Sequence, residues 1–153
     1  MGIRTVLSLG ILACFLALGG PAGAESTPQE NFPIDLWLEE ALAADASTAG
    51  MVEAYAEGTK RWDKELNVQY QLLGQKLRPE ALQALRASQR LWIKYRDAEI
   101  AAAQALGREL SEINGGGTIW SVITAERVLH LTRTRTLELQ AYVRYLTGSL
   151  EGP

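Results

Sequence analysis

The chain has 153 residues, of which 47% are apolar and 22% charged, a balance typical of one globular domain rather than a disordered chain or a membrane bundle. The net charge of −3, without any run of like charges, argues against a nucleic-acid binder, because such proteins neutralise phosphates with a basic surface. The single Cys and single His exclude zinc-finger, haem c and iron–sulfur spacings. They also leave little material for a catalytic pair, so we expect neither an enzyme nor a cofactor or metal site.

The first 24 residues have the composition of a secretory signal peptide. Arg4 precedes an uncharged apolar run over residues 5–18, and Ala22-Gly23-Ala24 offers a cleavage site. Because this run is too short to span a bilayer, we expect cleavage after Ala24, a periplasmic or secreted protein and no stable membrane insertion. Cys14 fits a lipoprotein acylation box only loosely, so we favour a soluble protein over a lipid anchor. The mature chain then has no cysteine, and its 14 basic and 18 acidic residues give a net charge of −4.

A short helix is predicted near the start of the mature chain. Residues 25–33 contain two prolines and several polar residues, which indicates a flexible lead-in. From Ile34 to about Asp45, apolar residues recur at steps of three and four, as in an amphipathic helix. Ser47 or Thr48 then offers an N-cap for the next helix.

The second and third predicted helices are long. The second has an apolar face formed by Val52, Tyr55, Thr59, Trp62, Leu66, Gln69, Leu73 and Leu77. It ends at Arg78, because Pro79 donates no backbone N–H and disfavours a helical conformation at the preceding residue. Pro79 also suits the first turn of the third helix, which continues to about Leu110. Its apolar face comprises Leu82, Leu85, Trp92, Tyr95, Ala102 and Leu106. The two helices are expected to form a long antiparallel hairpin.

A glycine run, Gly115-Gly116-Gly117, separates the third helix from a last one that Thr118 can cap. The last helix ends before Gly148, and its apolar stripe comprises Val122, Ala125, Leu129, Thr132, Thr136, Leu139, Val143 and Leu146. No alternating strand pattern competes. The predicted fold class is therefore all-α: a small helical bundle of one short and three long helices over residues 34–147, followed by a tail over residues 148–153.

Three motifs stand out in the long helices, at residues 62–70, 85–97 and 131–136. In this order, with Gly-Gly-Thr between the second and third, they resemble the lysozyme inhibitor LprI N-terminal domain family. That family's pattern is D-x-x-L-N-x-x-Y, then Q-R-x-W-x-x-Y-R-D, then G-G-T or G-G-S, then L-T-x-x-R-T. The motif residues singled out here are Trp62, Asp63, Leu66, Asn67, Tyr70, Gln89, Arg90, Trp92, Tyr95, Arg96, Asp97, Thr132 and Arg135.

The resemblance covers roughly residues 48–146 and implies a small exported helical protein of the bacterial envelope, whose named activity is inhibition of lysozyme. It implies a protein-binding module whose partner is lysozyme or another cationic protein. The alternative is a structural or accessory envelope protein without inhibitory activity. The family commonly carries cysteines at places that hold Ala54, Ile100 and Arg127 in this chain. Packing is therefore expected to replace the disulfides.

The polar motif residues allow two interpretations. They can form a binding patch, or they can form an interhelical network in which Asp63 or Asp97 pairs with Arg96 or Arg135, and Asn67 pairs with Gln89. We favour the network, because polar residues bracketed by Trp and Leu on a core face commonly fix the register of helices. On that interpretation, Asp63→Ala costs roughly 3 kcal/mol of stability by leaving an arginine unpaired.

The glycine run is a second candidate surface. A protruding loop of Gly115, Gly116, Gly117 and Thr118 could contact a partner closely, with Glu109 and Glu112 adding attraction to a cationic protein. The alternative is a plain turn that reverses the chain, and the residues alone favour the turn. His130 has Glu126 one helical turn before it but no further ligands, so a satisfied or exposed histidine is the favoured interpretation.

Overall fold

The structure is a computed structural model that describes residues 32–148. Its elements are four helices, α1 (Pro33–Ala44), α2 (Thr48–Lys76), α3 (Pro79–Ile113) and α4 (Ile119–Thr147). The predicted all-α bundle of one short and three long helices is confirmed. None of the helices between residues 32 and 148 combines the length and the apolar character needed to cross a bilayer. The predicted signal peptide with Cys14, the lead-in up to residue 31 and the tail from residue 149 lie outside the described residues.

Local chemistry explains where the helices begin and end. The Ser47 hydroxyl accepts a hydrogen bond from the Gly50 N–H at 3.1 Å, which selects Ser47 as the N-cap of α2. Pro79 begins α3 as predicted. Gly115 and Gly116 have φ angles of 77° and 88°, the left-handed region that favours glycine, and they end α3.

Thr118 is the N-cap residue of α4, as the sequence predicted. Its side chain makes no capping hydrogen bond, and its Oγ1 instead lies 3.2 Å from Oγ1 of Thr48. The Thr118 backbone is helical rather than extended, so the hydroxyl is turned away from the free N–H groups of the first turn. The predicted position of the N-cap is therefore confirmed, but the hydroxyl does not cap α4 and instead joins the beginnings of α2 and α4.

α1 lies antiparallel on α2. The ring of Phe32, just before α1, packs edge-on against Trp62 with centroids 5.6 Å apart. Further along α1, Leu38 approaches Gly58, where an added Cβ would lie 3.6 Å from the leucine. The same Cβ would lie only 2.7 Å from Leu129 of α4, so glycine allows a close approach at this level.

α2 and α4 run parallel and share the most extensive interface of the bundle. Thr48 meets Thr118 at one end of this interface, and Leu73 packs with Leu139 toward the other. α3 connects these ends and runs antiparallel to both helices. The chain does reverse direction between α2 and α3, as the predicted hairpin requires. However, α2 and α3 each pack more extensively on α4 than on one another.

The core forms two clusters along the α2–α4 interface. The first contains Leu38, Ala54, Trp62 and Leu129, and the second contains Leu66, Leu73 and Leu139 with Trp92 of α3 at its edge. Leu139 and Leu73 are almost completely buried. The predicted apolar faces of α2 and α4 are therefore confirmed at their centres, although Leu146 near the end of α4 is exposed.

The predicted apolar face of α3 is wrong beyond Trp92. Tyr95 is 52% exposed and Leu106 is 62% exposed, whereas Ala103 is buried. The physical reason is that α3 meets α4 through small residues. A Cβ added to Gly107 would lie 2.7 Å from Oγ1 of Thr124. The larger apolar side chains consequently flank this narrow contact instead of filling it.

Candidate functional site

α2 and α3 leave a cleft between them that contains three hollows. The hollow nearest the glycine run has a volume of about 690 Å³, the central hollow about 320 Å³, and the hollow nearest the α2–α3 connection about 350 Å³. The first two share Thr59 and Val128, and α4 forms their floor. In the order given, we call the three hollows the loop-end hollow, the central hollow and the basic hollow. Seven of the motif residues line the last two: Asp63, Arg96 and Thr132, and Asn67, Tyr70, Gln89 and Arg90.

An ion pair crosses the cleft at the central hollow. Nη1 of Arg96 lies 3.6 Å from Oδ1 of Asp63, while Nη2 and Nε of the same arginine donate to Oδ1 of Asp97 at 2.8 Å and 3.0 Å. The guanidinium also lies 5.3 Å from the centroid of the Trp92 ring. The side chains of Asp63 and Asp97 are 47% and 59% exposed. The predicted pairing of these acids with Arg96 therefore occurs, but at the surface, where such pairs contribute little to stability.

The predicted pairing of Asn67 with Gln89 does not occur. Nδ2 of Asn67 donates to the backbone oxygen of Asp63 at 2.8 Å and to its carboxylate at 3.3 Å, within α2. Oε1 of Gln89 accepts instead from Nε of Arg135 at 3.1 Å. The reason is local, because an Asn side chain reaches the carbonyl four residues earlier in its own helix more readily than a neighbouring helix.

Arg135 ties α4 to α3. Its Nη2 donates to Oγ of Ser88 at 3.2 Å, and its Nη1 pairs with Glu138 at 2.9 Å. The Arg135 side chain is only 11% exposed, and Gln89 is 8% exposed. This arginine and this glutamine thus form the buried interhelical network that the sequence led us to expect elsewhere.

Other motif residues belong to the core. Thr136 and Thr132 are buried, and Oγ1 of Thr136 donates to the backbone oxygen of Trp62 at 3.1 Å across the α2–α4 interface. Leu66 is buried in the second cluster. Nε1 of Trp62 is the buried side-chain polar atom that has no hydrogen-bond partner in the described part of the chain. At one of the positions where the family commonly carries cysteines, Arg127 pairs with Glu99 at 2.7 Å between α4 and α3.

The sequence did not indicate the ion pair between Arg133 and Asp35, which joins α4 to α1 through several hydrogen bonds. Nε and Nη2 of Arg133 donate to both carboxylate oxygens of Asp35 at 2.7–3.1 Å. The guanidinium lies 5.5 Å and 5.3 Å from the ring centroids of Phe32 and Trp62. This contact joins residues 98 positions apart. No local spacing could have indicated it, although Arg133 falls within the third motif.

The loop-end hollow brings the glycine run together with small residues of all three long helices. Gly116, Gly117 and Thr118 form its rim, and Trp120 lies on its floor. Glu109 and Glu112 are exposed on α3 close to this rim, but they do not line the hollow. Neither carboxylate forms an ion pair with another residue between positions 32 and 148.

Charge is divided unevenly between the two ends of the bundle. Residues 36–61 and 98–130, which we call the loop end, contain nine Asp or Glu and four Lys or Arg. The remaining described residues contain six acidic and ten basic side chains. The described part is thus nearly neutral overall but carries an acidic end at the glycine run and a basic end at the α2–α3 connection.

Two ionisable groups at the loop end are perturbed. Hydrogen bonds from the side chain and backbone of Ser47 lower the pKa of Asp45. Burial raises the pKa of Tyr55, and the nearby Glu126 carboxylate raises it further. His130 is exposed, and between residues 32 and 148 no group of three or more His, Cys, Asp or Glu side chains is placed to hold a metal ion.

Comparison with known proteins gives a family and a structural relative. A family model described as "Lysozyme inhibitor LprI" matches residues 39–139, about two thirds of the chain. The crystal structure of an uncharacterized protein from Burkholderia thailandensis is similar, with 28% sequence identity and a TM-score of 0.64. The similarity covers 76% of the present chain and 56% of that chain, so the present chain spans little more than half the length of that protein. No curated protein matches the sequence.

Proposed function

Because the chain belongs to the lysozyme inhibitor LprI family, we propose that it is an exported protein-binding module that binds lysozyme, or a similar cationic protein, through its loop end. The family is one of inhibitors rather than enzymes, which favours a binding role over a catalytic one. Export is part of the proposal and rests on the apolar run over residues 5–18 and on Ala22-Gly23-Ala24. N-terminal sequencing and intact mass of envelope material test it, since a chain beginning at an acylated Cys14 would contradict a soluble protein.

The single observation that carries the choice of surface is the concentration of negative charge at the loop end. Nine acidic side chains stand against four basic ones there. Complementary charge steers association and raises the association rate, and the effect falls as salt screens it. Glu109 and Glu112 are well suited to this role, because no ion pair within the described residues neutralises them.

The shape of this end also suits a protein partner. The glycine run exposes backbone without bulky side chains, so it can enter a concave surface such as an enzyme cleft. The adjacent loop-end hollow of about 690 Å³ can accept a side chain of the partner in return. Gly115 and Gly116 are exposed, and open space surrounds the position of a Cβ at each.

A lysis assay with purified protein and lysozyme tests the proposal. The protein should slow lysis, and inhibition should be weaker at high salt than at low salt. The double variant Glu109→Gln/Glu112→Gln should weaken inhibition several-fold at low salt while the helical circular dichroism is unchanged. The matched control for either single change is Glu80→Gln, which removes an exposed carboxylate without an ion-pair partner in the described residues from the basic end, and it should inhibit like the parent.

Two results would count against the proposal in different ways. A parent protein that never slows lysis would refute lysozyme inhibition and favour a structural or accessory role in the envelope. The hydrogen bond from Arg135 to Gln89 supports that alternative, because it ties α4 to α3 within the bundle. A Glu109→Gln/Glu112→Gln variant that inhibits as well as the parent would exclude these two residues from the contact, and α1 around Trp37, also at the loop end, would be the next surface to test.

A further inference from the structure

The basic hollow lies at the opposite end of the α2–α3 cleft from the glycine run, and it is built from hydrogen-bond donors. Four of its lining residues come from one face of α3, and two come from α2: Arg86, Gln89, Arg90 and Ile93, and Asn67 and Tyr70. Their spacings of three and four residues along each helix place the side chains of each set on one face. The volume of about 350 Å³ is at the lower end of the range for small-ligand sites.

The buried Gln89 side chain has a donor group without a partner. Its Oε1 is identified by the bond from Arg135, because an arginine Nε–H can only donate and must therefore face the amide oxygen. The Gln89 –NH2 group is consequently turned away from Arg135, and it forms no hydrogen bond with another residue of the described range. Gln89 is 8% exposed and lines the basic hollow. Among the described residues, the polar side-chain atom that is both sealed from solvent and without a partner is Nε1 of Trp62. The Gln89 –NH2 group is therefore reached by solvent, and an acceptor bound in the basic hollow can take the place of water there.

Two arginines flank this donor without carboxylate partners. Arg86 and Arg90 are one helical turn apart on α3, and neither forms an ion pair or hydrogen bond with another residue between positions 32 and 148. Like charges at this spacing destabilise a helix. Arg96, by contrast, has carboxylates of Asp63 and Asp97 within 4 Å. A negative group in the basic hollow would relieve the repulsion.

We propose that the basic hollow binds an oxyanion group, a carboxylate or a phosphate, carried on a small organic body. The planar guanidinium groups of Arg86 and Arg90 match the geometry of such groups, and Gln89 Nε2 supplies a further donor. Ile93 and the ring of Tyr70 offer apolar surface to the body of the ligand. This site is distinct from the proposed lysozyme contact, since it lies at the basic end of the bundle.

Titration of the isotope-labelled protein tests the site, with the Gln89 side-chain –NH2 signal in the NMR spectrum as a local readout. Two probes distinguish the source of the oxyanion: inorganic phosphate, and N-acetyl-alanyl-alanine with its free carboxylate. The C-terminal amide of the same dipeptide is the control without the charge. We expect a saturable shift of the Gln89 signal with at least one of the two anions and none with the amide.

Variants separate a built site from general attraction to a basic surface. Arg90→Gln should weaken binding about tenfold or more, which is the effect expected for losing a charged hydrogen-bond donor. Lys94→Gln removes the same charge from the next turn of α3, outside the hollow, and should change binding less than about twofold. Gln89→Glu keeps an oxygen for Arg135 but replaces the donor by a carboxylate, and it should abolish binding when measured by calorimetry.

Three outcomes would overturn the proposal. The first is the absence of a saturable shift of the Gln89 signal with either anion up to about 10 mM, a concentration above the Kd expected for even a weak site of this kind. The second is an equal loss of binding in Lys94→Gln and Arg90→Gln, which would show diffuse attraction only. The third is unchanged binding in Arg90→Gln and in Gln89→Glu. Lysozyme inhibition is measured separately and can succeed or fail without affecting any of these results.

Discussion

Replacing Asp35, Arg133 or both by alanine should show that this pair holds α1 against the rest of the bundle. Arg133 makes three hydrogen bonds to the Asp35 carboxylate, and its guanidinium also faces the rings of Phe32 and Trp62. The two side chains are only 26% and 23% exposed. Arg96 on the cleft is equally shielded, at 26% exposed, but its partner Asp63 is 47% exposed, so the Asp35 carboxylate is shielded from water and salt better than the Asp63 carboxylate.

The magnitude follows from these contacts. Exposed pairs contribute about 0.2–1 kcal/mol, and hydrogen bonds to charged groups contribute about 1.5–3 kcal/mol. A two-pronged pair that is about three quarters buried should have a coupling energy of about 1.5 kcal/mol. Each aromatic ring adds about 0.5–1 kcal/mol for the cation. Arg133→Ala should consequently cost about 3 kcal/mol, and Asp35→Ala about half of that.

A double-mutant cycle measured by denaturant unfolding gives the coupling energy directly. By thermal unfolding, Arg133→Ala should lower the Tm by roughly 10 °C for a domain of this size. The Asp63–Arg96 pair is the matched control, and its own cycle should give less than about 0.5 kcal/mol. A coupling energy for Asp35 and Arg133 no larger than that of the control would refute the reasoning, because shielding would then have no effect on pair strength.

Three further outcomes are expected. Ser47→Ala should lower the free energy of unfolding by about 1 kcal/mol through loss of the N-cap, and it should raise the pKa of Asp45 toward its ordinary value of 3.8. Because the pKa of Asp45 is lowered in the folded protein, its contribution to the free energy of unfolding is present above pH 3.8 and is lost as the pH falls further. If the Asp45 pKa in an NMR titration is the same in Ser47→Ala as in the parent, Ser47 is not the cause of the lowering. Asp63→Ala should cost less than about 1 kcal/mol, since its partner arginine keeps a second carboxylate; a loss near 3 kcal/mol in denaturant unfolding would show that the pair is not a surface pair. Glu126→Gln should lower the pKa of Tyr55 in an ultraviolet titration, and an unchanged value would leave burial as the whole cause.

The helices could be predicted from the sequence because their signals are local. Ser47 and Pro79 mark helix beginnings through the chemistry of their own backbone and side chains. The centres of α2 and α4 could be predicted because their apolar residues face each other over a long parallel contact. α3 could not be predicted in the same way. Its periodic apolar residues indicate a helix correctly, but periodicity does not reveal how much of that face a neighbour covers, and Leu106 remains exposed.

The candidate site was predictable only in part. The sequence offered Arg96 or Arg135 as the partner of Asp63 or Asp97, and Arg96 is the partner in the structure. It gave no measure of exposure, so the predicted energy was too large. The partner of Gln89 depends on which residue of α4 reaches α3 at that level, and this is a tertiary property. The same limit hid the basic hollow, because the unpaired state of Arg90 is visible only when all nearby carboxylates have been located.

The parallel packing of α2 on α4 has a consequence for how the chain folds. Thr48 and Thr118 are 70 residues apart, and Thr136 donates to the backbone of a residue 74 positions earlier. The chain must lose the conformational entropy of so long a loop before this interface forms. Folding should therefore be slower than in bundles whose contacts are between sequence neighbours. When the chain emerges from the ribosome or the export channel with its N-terminus first, neither core cluster can be completed until α4 has also emerged. Late closure of this kind keeps the polypeptide extended for longer, which suits a protein proposed to cross a membrane before it folds.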